Sequence, residues 1–265
     1  MVEKEAVETI IRNYLKTAGK RFFGPVSRNE PSLIQDYNAI SPFIAALVPD
    51  EISKAAWLQQ NLTRMVELDL KNIALKIATA RSGLSYLNYR VFGVVKQKRF
   101  NRIAEVIFQK TRPNWEVELN YIRTGHGQEI PVELYFDIYV EDYKTGRKYA
   151  FDLESHPPNE IAVREKKKKL LTLYSMSSIP VDEAYYVLPY LLPDQKVDFY
   201  ARWFDMKNDS VVLMGDEFWN KIGGEGTYTA FIDAVNAIGD EYKEQIYREY
   251  LGIEPPPDAF SAKLR

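Results

Sequence analysis

Three carboxylates stand close together in the stretch YFDIYVEDYKTGRKYAFDLESHPPN: Asp137, Asp152 and Glu154. Asp137 lies among Phe136, Ile138 and Val140, in a run of strand-like composition. Lys144-Thr145-Gly146 is a turn signal, and the run KYAFDLES that follows it returns Asp152 and Glu154 to the neighbourhood of Asp137. Residues two apart in a strand share a face, so Asp152 and Glu154 project together, with Phe151 and Leu153 on the opposite side. Carboxylates converging on one sheet face repel each other and titrate abnormally unless a cation neutralises them. A plainer reading is a solvated sheet face whose acids are matched by Lys144, Arg147 and Lys148, and spacing alone does not separate the two.

Composition narrows the cation. The chain has no cysteine and two histidines, His126 and His156, which excludes disulfides and thiolate ligands and leaves little for a histidine zinc site. Oxygen ligands remain, and the cation that suits them while keeping several waters is Mg²⁺. The segment from Glu160 to Tyr174 supplies a further clue. Read as a helix capped by Asn159, it carries Ala162, Leu170 and Leu173 on one stripe, and Lys166 falls inside that stripe. A lysine aimed at a sheet bearing acids is better explained as an ion partner than as core. Arg164 and Lys168 fall outside the stripe and read as solvated or phosphate-facing.

An acidic cluster, an oxygen-bound divalent ion, a lysine and a basic surface are the parts that phosphodiester hydrolysis needs. The metal lowers the pKa of a bound water and offsets charge on the phosphorane, while the lysine orients the nucleophile or stabilises that charge. Acid pairs also serve glycosidases, which need no metal but an aromatic sugar cleft, and the 18 tyrosines leave that alternative open.

These residues require a scaffold. Helical spacing marks Val2 to Ala18 and a long segment from Asp50 or Ser53 to about Ala80, separated by a stretch from Pro25 to Pro49 punctuated by proline and asparagine. After Gly83 a second helical pattern carries a basic cluster and closes with Ile103, Val106 and Ile107. The period then changes to two. WEVELNYI, VELYFDIYV and KYAFDLES read as three strands of an antiparallel meander. EAYYVLPY follows a helical crossover and is expected to pair parallel to the third strand, with SVVLM as a further short strand. The C-terminal part reads as two helices around a glycine turn. Gly223-Gly224-Glu225-Gly226 lacks the preceding strand and the Lys-Ser/Thr ending of a phosphate loop. The expected fold class is therefore α/β (α+β), a mixed central sheet with an antiparallel meander flanked by helices. A single domain over 1–265 would comprise a helical part (1–112), a catalytic sheet core (113–214) and C-terminal helices (215–265).

The net charge of −2 does not suggest a nucleic-acid binder, but its distribution does. From Asn88 to Arg112 there are seven bases against one acid, and from Asp205 to Asp258 twelve acids against four bases. Lys98, Arg99 and Arg102 head the basic segment and are candidates for phosphate contact. Early acids and the lack of an uninterrupted apolar run argue against a signal peptide or a membrane span near the N-terminus, so a cytoplasmic protein is expected. The Asn61-Leu62-Thr63 sequon is then a chance match.

Asp137, followed fifteen positions later by Asp152-Leu153-Glu154, resembles the core of PD-(D/E)XK nucleases, in which an acid and an acid-x-lysine pair sit on adjacent strands. Glu154 stands where that pattern has lysine, as in those restriction endonucleases of the superfamily that carry Glu-x-Glu, and either Glu154 acting as a base or Lys166 reaching in from the helix is a candidate for the lysine's role. The segments FDLESHPPNEIAVREKKKKLLTLY, EAYYVLPY and GDEFWNKIGGEGTYTAFIDAVNAIG are similar to the succession found in TdeIII-type type II restriction endonucleases, over about Asn120 to Gly239. The resemblance implies a restriction-endonuclease-like fold and Mg²⁺-dependent cleavage of double-stranded DNA at a short sequence. It implies Asp137, Asp152 and Glu154 as the metal site, a companion DNA methyltransferase, and a homodimer matched to a palindromic site. Two other readings share the residues: a related nuclease of repair or RNA processing, and a non-catalytic nucleic-acid-binding protein in which Glu154 marks a decayed site.

Overall fold

The computed structural model describes residues 4–26, 46–47, 50–109, 112–155, 159–191, 202–206, 208–261 and 263. Most of the stretch from Pro25 to Pro49, and His156, lie outside them. Two compact units emerge, one over Ala74–Tyr228 and the other over Glu3–Ile73 with Thr229–Arg265.

The second unit is helical. Helix α1 (Lys4–Val26) buries Val7 and Ile11, helix α2 (Asp50–Ser82) begins here, and α7 (Thr227–Gln245) runs into a π-helical turn at Ile246–Tyr250. Lys4 reaches Asp233 at 3.1 Å and Lys16 reaches Glu241 at 3.5 Å, tying α1 to α7.

The first unit contains the carboxylates. Its sheet has five strands in the order β1 (Gly83–Lys96), β2 (Glu129–Asp142), β3 (Lys148–Leu153), β4 (Glu183–Leu188) and β5 (Val212–Met214). The first three pair antiparallel, and β4 and β5 add on in parallel. Helices α3 (Gln97–Phe108) and α4 (Trp115–Arg123) lie between β1 and β2, α5 (Glu160–Tyr174) crosses from β3 to β4, and α6 (Asp216–Gly223) follows β5. The expected mixed sheet, its meander and the parallel fourth strand are all present.

The meander begins with a different segment than its period suggests. WEVELNYI forms α4, and the strand beside β2 is Gly83–Lys96, expected as the start of a helix. Strict alternation in WEVELNYI would place Val117 and Tyr121 with Trp115 and Leu119. Instead Val117 is 65% exposed and Tyr121 41%, while Trp115, Leu119 and Ile122 are buried at helical spacing. Local chemistry decides the outcome. Asn114 accepts a hydrogen bond from the Val117 amide, Glu116 and Glu118 occupy the first turn, and Arg123 the last, as the helix dipole favours.

One face of the sheet packs against α3, α4 and α5, where Ile103, Trp115, Ile122, Leu170 and Leu173 meet Val91, Val95, Phe136, Ala150 and Tyr186. The other face stacks Phe151 on Tyr185 at 5.6 Å and edge-on to Phe218 of α6. Each such fully buried aromatic contributes about 1.5–3 kcal/mol. An irregularity interrupts this regular packing. The β1–β2 pairing omits Asn88 and Asp137, and Asn88 adopts φ 56°. On either side of the gap, Phe136 and Tyr139, three residues apart, both join the same core cluster, so the alternation of faces changes phase at Asp137.

Candidate active site

Asp137, at this irregular point of β2, lies beside the end of β3. Its carboxylate accepts a 2.7 Å hydrogen bond from the Leu153 amide. The antiparallel register ends at Ile138 opposite Phe151, and one step further sets Asp137 opposite Asp152. Asp152 is 2% exposed. Glu154 is half-buried just past the strand, and its amide donates to the Val187 carbonyl at 2.8 Å, prolonging the parallel ladder with β4.

Helix α5 places the cations. Asn159 caps it by accepting from the Ala162 amide at 2.9 Å. Lys166, one turn further, reaches Asp152 Oδ1 at 2.7 Å and lies 3.4 Å from the Leu153 carbonyl oxygen. Lys166 is thus placed against one of the three acids, Asp152. Lys169, not anticipated, reaches the other oxygen of Asp152 at 2.5 Å, donates to the Tyr135 carbonyl at 2.8 Å and sits over the Phe136 ring. Its signal was present in the sequence, because Lys166 and Lys169 are three apart on one helix face. Asp152 therefore carries an ammonium group on each oxygen.

Between them, Lys167 points elsewhere. It is 2% exposed and pairs with Glu118 of α4 at 2.6 Å. Burial pushes the Lys167 ammonium down and the Glu118 carboxyl up, each shift opposed by its partner. Burial also raises Asp209, which lies close enough to feel Lys167. This sealed pair joins α4 to α5.

The expected phosphate contacts fare unevenly. Arg99 donates to the carbonyls of Gly125 and Ser175 at 3.1 and 3.0 Å, and Arg102 donates to the Tyr121 carbonyl at 2.6 Å and to Thr124. The N-terminus of α3 is likewise occupied, with the amides of Gln97 and Lys98 donating to the carbonyls of Gln128 and His126. Gly125 permits this approach, since a Cβ there would lie 2.6 Å from the Arg99 nitrogen. Lys98 and Lys168 are exposed, and Arg164 is near its neighbour Glu165 at 3.5 Å.

The donors fit a hard divalent cation in kind: they are carboxylate oxygens, with no sulfur and no imidazole among them. Among the described residues, no group of three or more acids or histidines is drawn together to hold a metal. Asp137 and Asp152 are brought to opposed positions, and Glu154 flanks them. Nor, among those residues, is any helix long and apolar enough to cross a membrane.

A mixed sheet with acids on two adjacent antiparallel strands and a lysine from the crossover helix is an arrangement suited to a nuclease. The chain belongs to the HinfI family of type II restriction endonucleases, whose model matches residues 3–239. Three type II restriction enzymes of Herpetosiphon aurantiacus are similar along most of their length. HgiEI is 23% identical over 252 residues, covering 87% of this chain and 88% of the relative. HgiBI is 22% identical over 242 residues (83% and 85%), and HgiCII 22% identical over 230 (80% and 82%). The protein is a type II restriction endonuclease acting on double-stranded DNA, and enzymes of this kind generally work with divalent metal ions.

Proposed function

We propose that the chain hydrolyses phosphodiester bonds with Mg²⁺ held by Asp137 and Asp152, with Glu154 as the third carboxylate. The observation that carries this reading is the buried Asp152 at the end of β3, set opposite Asp137 and bound by Lys166 at 2.7 Å. Mg²⁺ supplies a Lewis acid and an activated water. Asp137 orients the site by holding the Leu153 amide, which fixes the strand end on which Asp152 stands. Lys166 brings a positive charge to the place where charge develops on phosphate. Glu154 stands in the place of the family pattern's lysine and serves as a base toward water.

Of the candidates, Lys98, Arg164 and Lys168 remain for backbone phosphates, since Arg99 and Arg102 are turned to backbone carbonyls. A homodimer would present two such sites to a palindrome. Cytoplasmic location and a companion DNA methyltransferase that protects host DNA complete this reading.

The test is digestion of DNA of known sequence. Discrete fragments in Mg²⁺, none in EDTA, and loss of cleavage in Asp137→Ala and Asp152→Ala that keep the parental circular dichroism are expected. A smear would point to a repair-type nuclease, and near-parental cutting by either variant would overturn the site assignment.

A further inference from the structure

We propose that Lys166 and Lys169 jointly stand in for the divalent ion at Asp152, so that ammonium and metal compete for this carboxylate. The inference rests on the metal-site reading above and adds a resting state to it. Asp152 has almost no solvent exposure, so water cannot serve as its counter-charge. Each of its two oxygens instead faces an ammonium group, at 2.7 and 2.5 Å, and together these carry the charge of one divalent cation. Both come from one face of α5. Lys167, between them, is sealed against Glu118 and is not available for exchange.

A divalent ion on Asp152 would put like charges within contact distance of both lysines, so at least one must withdraw as it enters. Both have somewhere to go. Their side chains retain 18% and 24% exposure, and Lys169 already holds a second acceptor, the Tyr135 carbonyl. The carboxylate is thus neutralised without metal, and an ammonium group released when it enters lies beside the place where a DNA phosphate must come.

The inference predicts an unusual sign: removing a lysine should tighten metal binding while slowing cleavage. Calorimetric titration of the full chain with Mn²⁺, without DNA, tests it. Lys166→Met and Lys169→Met, which keep the apolar stem, should each bind Mn²⁺ about tenfold more tightly than the parent, and the double variant more tightly than either. Lys169→Arg keeps the charge and should stay near the parent. Lysine variants that bind no more tightly than the parent, while Asp152→Asn binds more weakly, would overturn the competition and leave the metal site standing. Equal Mn²⁺ affinity for Asp152→Asn and the parent would remove the metal site and the competition with it. Should a lysine variant fail to fold, the parental protein answers the question. At least one of the Lys166 and Lys169 ammonium signals in ¹H–¹⁵N spectra should be lost at saturating Ca²⁺, and persistence of both with Ca²⁺ bound would overturn the proposal.

Discussion

Two ion clusters share helix α5, and one residue separates them. On one face Lys166 and Lys169 meet Asp152 with roughly a fifth of each side chain open to solvent. On the next, Lys167 meets Glu118 and is closed off, 2% exposed. The sealed pair holds its charges against burial, which pushes Glu118 up and Lys167 down toward their neutral forms. A pair of that kind fixes the register of α4 against α5 and has no route to a substrate. The open cluster has two cations for one carboxylate and solvent beside it, which is the surplus that a phosphate-handling site needs. Side-chain type does not distinguish the two clusters. What each lysine faces does.

That contrast can be broken at either end. The largest effect is expected at the carboxylate that organises the open cluster: Asp152→Asn should lower cleavage about a thousandfold or more, roughly 4 kcal/mol of barrier, as measured by single-turnover rates in Mg²⁺. Next comes the sealed pair. Removing one partner leaves the other charge buried, so Lys167→Met should cost about 3–5 kcal/mol in urea unfolding, and adding Glu118→Met should recover most of that loss. If the double variant is no more stable than the single, the pair is not the unit described.

A smaller effect is expected from Arg99, whose charged hydrogen bonds tie α3 to the loop before β2 at Gly125 and to the end of α5 at Ser175. Arg99→Ala should lower stability by about 1.5–3 kcal/mol while the salt dependence of DNA binding stays the same. Lys98→Ala should do the reverse, flattening the slope by about one unit with little change in stability. The smallest effect belongs to Lys168, exposed and 4.0 Å from Glu165: alanine there should shift stability by less than about 0.5 kcal/mol in the same unfolding assay.

The sheet core was legible because its patterns were redundant. The strand that ends at Leu153 is a short apolar run broken by Asp152, the crossover after Asn159 has both a cap and a stripe, and EAYYVL is apolar enough to need two covered faces. The misreadings came where two periods fit one segment. In WEVELNYI the alternation and the helical stripe share Trp115 and Leu119, and Asn114, the cap that decides between them, lies one residue outside the run. In GLSYLNYRVFGVVK the alternating exposure of Tyr86, Asn88, Arg90 and Phe92 marks the strand. The basic residues that continue past it into α3 drew the whole segment into one helix.

The candidate site divides in the same way. Asp137, Asp152 and Lys166 stand out as candidates because each breaks an apolar pattern, a signal carried by sequence alone. Lys169 and Lys167 were hidden inside a run of four lysines, where only the helix phase and the opposing elements assign a partner. Arg99 and Arg102 show the converse limit. A basic cluster announces charge, but not that backbone carbonyls 19 to 76 residues away will take its hydrogen bonds.

The most direct test compares Lys166→Met with Lys167→Met, each assayed for single-turnover cleavage in Mg²⁺ after correction for the folded fraction from urea titration. Lys166→Met should keep close to parental stability and cut about a hundredfold more slowly, the typical loss of one charge-stabilising donor. Lys167→Met should lose stability while its folded fraction cuts at close to the parental rate. A folded Lys166→Met enzyme that cuts like the parent, beside a Lys167→Met enzyme whose folded fraction does not, would contradict the assignment of the open cluster as the catalytic one.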